Sequence, residues 1–162
     1  MITLILVLSI VVVSYFGYWS ARGMGSYYTE TPMMISHRGV TKQFPENTIE
    51  AYNDSISVGY KGIELDVLSS IDGVIYCSHN HELERETNKN GYIHKMNASE
   101  LDTIKTGAYS HPTNQKKIPK LDNVINQLPN NIRLNIEIKF SSPFDFSTIF
   151  LLGNKIRKNK IK

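Results

Sequence analysis

Cysteine is nearly absent. Cys77 is the only one in 162 residues, so no intrachain disulfide can form, and a lone thiol in a strand-like run reads as a small core residue. A strong charge bias is lacking too. The formal net charge is +3, and Lys and Arg are scattered until the tail, residues 155–162. That tail has no aromatic residues between its cations, so it reads as a solvated end and nucleic acid is not an expected partner. No internal repeat stands out. With 41% hydrophobic residues the chain is neither disordered nor collagen-like, and its length sets one compact domain as the ceiling.

Charged side chains are also missing from residues 1–21. Residues 2–13 are almost wholly aliphatic, and Tyr15, Phe16, Tyr18 and Trp19 close the run. At about 1.5 Å per residue such a run just crosses a bilayer core, and terminal aromatics suit the lipid–water interface. The expectation is an uncleaved single-pass N-terminal membrane anchor over residues 1–21. A cleavable signal peptide is the competitor, but no basic region precedes the apolar run and no small-residue cleavage site follows it. Arg22 alone does not set the orientation; the extracytoplasmic side is favoured for the domain. Residues 22–32, with Gly23, Gly25 and Ser26, read as a linker, and residues 33–162 as the domain proper.

Within that domain the patterning predicts strand, helix, strand, strand, a polar excursion, helix, strand, helix. A short apolar strand, residues 33–36, runs into His37-Arg38-Gly39. Residues 46–58 carry Ile49, Tyr52 and Ile56 at helical spacing behind Pro45. Residues 62–67 alternate as a strand. Asp72-Gly73 is a hairpin-type turn, and residues 74–78 form a strand ending at His79. Residues 80–117 are polar and without sustained period, apart from a short helix over residues 98–106 capped by Asn97. A helix over residues 121–127, a clean alternation over residues 132–138 and a last helix over residues 144–156 complete the order. Strands alternating with helices point to a parallel sheet.

The strand Gly62-Ile63-Glu64-Leu65-Asp66-Val67 carries the chemistry. Alternate residues share a side, so Glu64 and Asp66 are presented together, opposite Ile63, Leu65 and Val67. Two acids on an apolar strand are costly to bury unless a cation lies between them, and hard divalent ions prefer carboxylate oxygens. An edge strand with one wet face is the other reading. Glu137 adds a third acid, for which the wet face of an edge strand is the lesser alternative. Strand ends then bring His37 with Arg38, the acid pair, His79, and Glu137 with Lys139 towards one rim of an α/β fold. Three carboxylates with two histidines suit a metal site beside a general acid and base, and the arginine suits a phosphate. Either His79 or His81 can reach in from the strand exit.

The runs His37-Arg38-Gly39, Pro45-Glu46-Asn47-Thr48, Glu64-Leu65-Asp66-Val67, Asp72-Gly73, His79, then Leu83, Arg85 and Thr87, and Ile136-Glu137-Ile138-Lys139 occur in one order. Over residues 33–139 the chain resembles the glycerophosphodiester phosphodiesterase family. The resemblance implies a TIM-type (β/α) barrel that hydrolyses glycerophosphodiesters to an alcohol and glycerol 3-phosphate. By that resemblance Glu64, Asp66 and Glu137 bind Ca2+ or Mg2+, His37 and His79 act as acid and base, and Arg38 and Lys139 face the phosphate. The Leu83 and Arg85 spacing selects His79 over His81 in the family pattern. The aspartate that usually follows that histidine is Asn80 here, which loses a charge and keeps a hydrogen-bonding group. Asn47 and Thr48 are expected to cap or place the first helix, and His94 and His111 receive no role.

A complete eight-unit barrel needs about 250 residues. Residues 33–162 supply about half of that, so the expectation is the N-terminal half of the barrel, ending soon after its fourth strand. Two functions stay open on this basis: an active membrane-anchored phosphodiesterase, or an inactive tethered remnant or binding fragment. The open barrel edge also suggests self-association.

Overall fold

A computed structural model describes residues 2–18, 32–143 and 145–159. The chain divides into two units, Met1–Pro32 and Met33–Lys162. In the first, helix α1 spans Ile2–Tyr18. Its 17 residues extend about 26 Å at 1.5 Å per residue, against about 30 Å for a bilayer's hydrocarbon core. Among the described residues no helix is long and apolar enough to cross a membrane, which overturns the single-pass anchor and the membrane localisation expected for residues 1–21. Trp19 and the expected linker, apart from Pro32, lie outside the described residues.

The second unit is built on β2, Gly62–Ser69, an eight-residue strand buried along its whole length. Strand β1 (Ile35–His37) lies parallel to it on one edge, with His37 opposite Glu64. Strand β6 (Arg133–Ile138) lies parallel on the other edge, with Asp66 opposite Glu137. Strand β3 (Ile75–Cys77) also pairs with β2, but antiparallel, Val67 facing Cys77. A parallel return needs a crossover of a dozen or more residues, which the turn at Asp72-Gly73 does not supply. Gly73 takes the left-handed φ of 80° that this turn requires. The parallel sheet expected from the alternation therefore has three parallel strands among the described residues, with β3 folded back beside them. No closed barrel forms among these residues.

Helix α2 (Ile49–Ser57) links β1 to β2. Thr48 caps it: the extended backbone there lets the hydroxyl accept the Ala51 N–H at 3.3 Å while donating to the Pro45 carbonyl at 2.6 Å. Ala51, Tyr52 and Ser55 form its buried stripe, the spacing of one helix face. Helices α4 (Leu121–Gln127) and α5 (Ser147–Asn159) cover the same side. There Tyr52, Ile63, Leu65, Val67, Val124 and Leu152 share one core, so the odd-numbered residues of β2 point into it as the alternation predicts.

Residues 80–117, read as a polar excursion, build a second core. Two single-turn 3-10 helices (Leu83–Arg85, Ile93–Lys95), the one-turn α3 (Ala98–Leu101) and the short pair β4 (Lys105–Thr106) and β5 (Lys116–Lys117) bring Leu83, Ile93, Leu101, Ile104 and Ile118 onto Leu68 and Tyr76. The helix expected over residues 98–106 is a single turn. Its first amide, Ala98 N–H, is capped across the hairpin by Asp72 Oδ1 at 3.0 Å.

Candidate active site

Three backbone hydrogen bonds tie the functional strand ends to β2. The Arg38 N–H donates to the Glu64 carbonyl at 3.0 Å, Ser78 N–H to Asp66 at 3.1 Å and Lys139 N–H to Val67 at 2.9 Å. The residues that follow or flank these amides are thus set by the ladder itself. Arg38 adopts φ 57°, a left-handed conformation costly for a β-branched or bulky residue, and turns its amide back so that it also donates to Glu64 Oε2 at 3.0 Å.

Glu64, Asp66 and Glu137 each present an oxygen within 4.8 Å of the other two. Asp66 is wholly buried and Glu64 nearly so, whereas Glu137 is exposed on the edge strand. Cations surround Asp66 unevenly. Arg38 Nε lies 3.1 Å from Oδ2 and Lys139 Nζ 3.0 Å from Oδ1, both as ion pairs at angles too poor for hydrogen bonds. Lys139 also donates to Glu137 Oε1, so it bridges the two acids. The arginine's Nη1 is held by Glu46 at 3.2 Å.

Glu64 is the electrostatically uncomfortable member. Its Oε1 is buried without a hydrogen-bond partner. Burial raises its carboxyl above the ordinary range, the Asp66 charge raises it further, and the Arg38 amide opposes both. Lys139 moves the other way: burial would lower it, but the hydrogen bond to Glu137 and the ion pair with Asp66 outweigh that and raise it. An orphaned buried carboxylate oxygen beside two further carboxylates fits a hard divalent cation, and these three residues are the ones that would hold it.

His37 borders the acids, its Nε2 3.9 Å from Glu64 Oε2, with the ring 70% exposed. His79 lies beside the group, not in it. It lines a narrow cleft with Glu46, Asn47, Cys77, Glu86 and Thr106, and its Nδ1 meets Asn80 Oδ1 at 3.2 Å. His81, its rival at the strand exit, packs its ring 5.6 Å from that of His94. The fold thus brings together His37, Arg38, Glu64, Asp66, Glu137 and Lys139, with His79 adjacent. A roomier cavity of about 450 Å³, lined by Glu50, Lys117, Asn123 and Gln127, contains none of them.

Two residues escaped the sequence reading. Asn47, expected to serve the helix, instead bonds to Asp66. Glu86 enters the His79 cleft, its carboxyl raised by burial and by the neighbouring Glu46 charge. Nothing in the local pattern marks Glu86. Asn47 lies in a quoted motif, but its partner is 19 residues away.

A carboxylate cage at the rim of parallel strands, edged by histidine and fed by an arginine and a lysine, defines a class of α/β proteins with metal-type strand-end sites. Residues 37–148 match the model of the glycerophosphoryl diester phosphodiesterase family, and the chain belongs to that family. It is 34% identical over 107 residues to a putative glycerophosphodiester phosphodiesterase of Bacillus subtilis, covering 65% of this chain and 44% of the relative. It is 33% identical over 109 residues to a glycerophosphodiester phosphodiesterase of Caldanaerobacter subterraneus subsp. tengcongensis, covering 66% and 45%. The fold superimposes with a TM-score of 0.71 and 30% identity on an Oleispira antarctica phosphodiesterase in complex with the product sn-glycerol-3-phosphate, covering 78% of this chain and 52% of that one. The chain spans about half the length of the relatives it matches.

Proposed function

We propose that this chain hydrolyses glycerophosphodiesters, releasing an alcohol and glycerol 3-phosphate. The observation that carries the reading is the buried Glu64 and Asp66 pair closed by Glu137, set beside His37, Arg38 and Lys139, in a fold similar to that of a phosphodiesterase solved in complex with its product sn-glycerol-3-phosphate. Glu64, Asp66 and Glu137 would hold a divalent cation, Ca2+ or Mg2+, which would supply positive charge to the phosphoryl oxygens. Arg38 and Lys139 bind the phosphate, and their ion pairs with Asp66 hold them aimed at the rim. His37 and His79 exchange protons with the nucleophile and the leaving alkoxide. Arg38 suits this role because its guanidinium is already anchored by Glu46 and loses little freedom on binding.

A second reading is binding without turnover. It is favoured by the exposure of His37 and Glu137, since water screens charged groups held at a surface. The full chain, assayed for glycerol 3-phosphate release from a glycerophosphodiester with Ca2+ or Mg2+, separates the two. Release that disappears in Glu64→Gln and His37→Ala supports hydrolysis. Cation-dependent retention of glycerol 3-phosphate with no release supports binding, and neither outcome above the blank sinks both.

A further inference from the structure

Asn47 is 2% exposed and holds a left-handed φ of 55°, yet its side chain serves no turn of its own. Its Nδ2 donates to Asp66 Oδ2 at 2.9 Å, and its Oδ1 accepts the Asp66 backbone N–H at 3.1 Å. The amide orientation is fixed by chemistry. A backbone N–H can only donate and an ionised carboxylate can only accept, so oxygen must face the first and nitrogen the second. A third bond holds the amide in place: the Tyr52 hydroxyl, fully buried in α2, donates to Asn47 Oδ1 at 2.9 Å. The Asn47 backbone is held in turn, its N–H donating to the Arg38 carbonyl at 3.0 Å.

The clamp divides the two oxygens of Asp66. Oδ2 is taken by Asn47 and by the Arg38 guanidinium. Oδ1 lies on the side of Lys139, which bridges it to Glu137. Rotation of the carboxylate would break the Asn47 bond with no replacement in a buried setting. We infer that Asn47, locked by Tyr52, is a positioning residue that fixes the Asp66 carboxylate so that Oδ1 faces the three-carboxylate cage, and thereby sets the cage's affinity for a divalent cation. This rests on the metal reading of the cage given above. Groups that orient a metal ligand from behind usually change affinity by about 10–100-fold.

The test is calorimetric titration of the full chain with Ca2+ alone, beside thermal unfolding without it. Asn47→Gly keeps the left-handed backbone and removes the clamp. Thr48→Ala, its buried neighbour, removes the α2 cap and leaves the clamp. The expected result is Ca2+ binding weaker by about tenfold or more in Asn47→Gly, with Thr48→Ala binding like the unmutated chain however much its unfolding midpoint falls. Equal affinity in Asn47→Gly, or an equal loss in Thr48→Ala, overturns the inference and leaves the cage intact. An unmutated chain that binds neither Ca2+ nor, in a parallel titration, Mg2+ overturns the metal reading and this inference together. Should Asn47→Gly fail to fold, Tyr52→Phe decides: loss of the lock must weaken Ca2+ binding, and unchanged binding overturns the role.

Discussion

At the scale of single residues, the site depends on backbone conformations that most side chains resist. Arg38 and Asn47 both have positive φ, and Gly39 follows at 89°. A Cβ on Gly39 would lie 2.7 Å from Ala51 Cβ and 2.8–2.9 Å from that residue's carbonyl group, where the Val40 amide also bonds to Ala51. Backbone strain and overpacking then act together. Gly39→Ala is expected to lose about 3 kcal/mol of unfolding free energy in urea, and to displace α2 from the strand rim. Cys77, by contrast, does what a lone buried thiol was expected to do. Its pKa is pushed up to about 12, chiefly by burial, so it is inert core.

At the scale of elements, the turns decide more than the strands. The loop after β3 places His79 in the cleft with Glu46, Asn47 and Glu86 and sends His81 against His94. Burial lowers the His94 pKa from 6.5, and His81 and Lys95 lower it further, while Asp145 and Glu82 oppose the shift. A depressed histidine binds its proton more readily in the unfolded chain, so stability falls as pH drops through about 6.5 towards the lower folded value. His94→Asn should therefore flatten the fall in unfolding midpoint between about pH 7.5 and pH 5.5. An identical pH dependence in both proteins would remove His94 as a contributor. The 3-10 turns explain why this region looked structureless: they bury Leu83 and Ile93 without any periodic run around them.

At the scale of the whole molecule, two cores meet on β2 and β3. Leu65 sits at the centre of the larger one, wholly buried between sheet and helices. Leu65→Ala should cost about 2–5 kcal/mol by urea unfolding, and it lies between Glu64 and Asp66, so Ca2+ binding should weaken with it if the cage depends on the packing beneath. Of the expected N-terminal half-barrel, the described residues form three parallel strands, β1, β2 and β6, and no closed barrel. Its boundaries were legible where periodicity was strong: α4 begins and ends where the pattern placed it, and β6 differs by one residue. The hairpin-type turn at Asp72-Gly73 was legible as well, and β3 returns antiparallel as such a turn requires.

The sequence by itself determined the family, the alternation that puts Glu64 and Asp66 on one face of a buried strand, and the strand-end positions of His37 and Lys139. These follow from local periodicity and from motifs whose meaning does not depend on their neighbours. Only the tertiary structure decided that Glu137 stands opposite Asp66, that Glu86 shares a cleft with His79, and that Asn47 reaches Asp66. Each of these depends on register or on a contact between residues distant in the chain. Such contacts are set by how separate elements pack, and no run of local sequence carries that information.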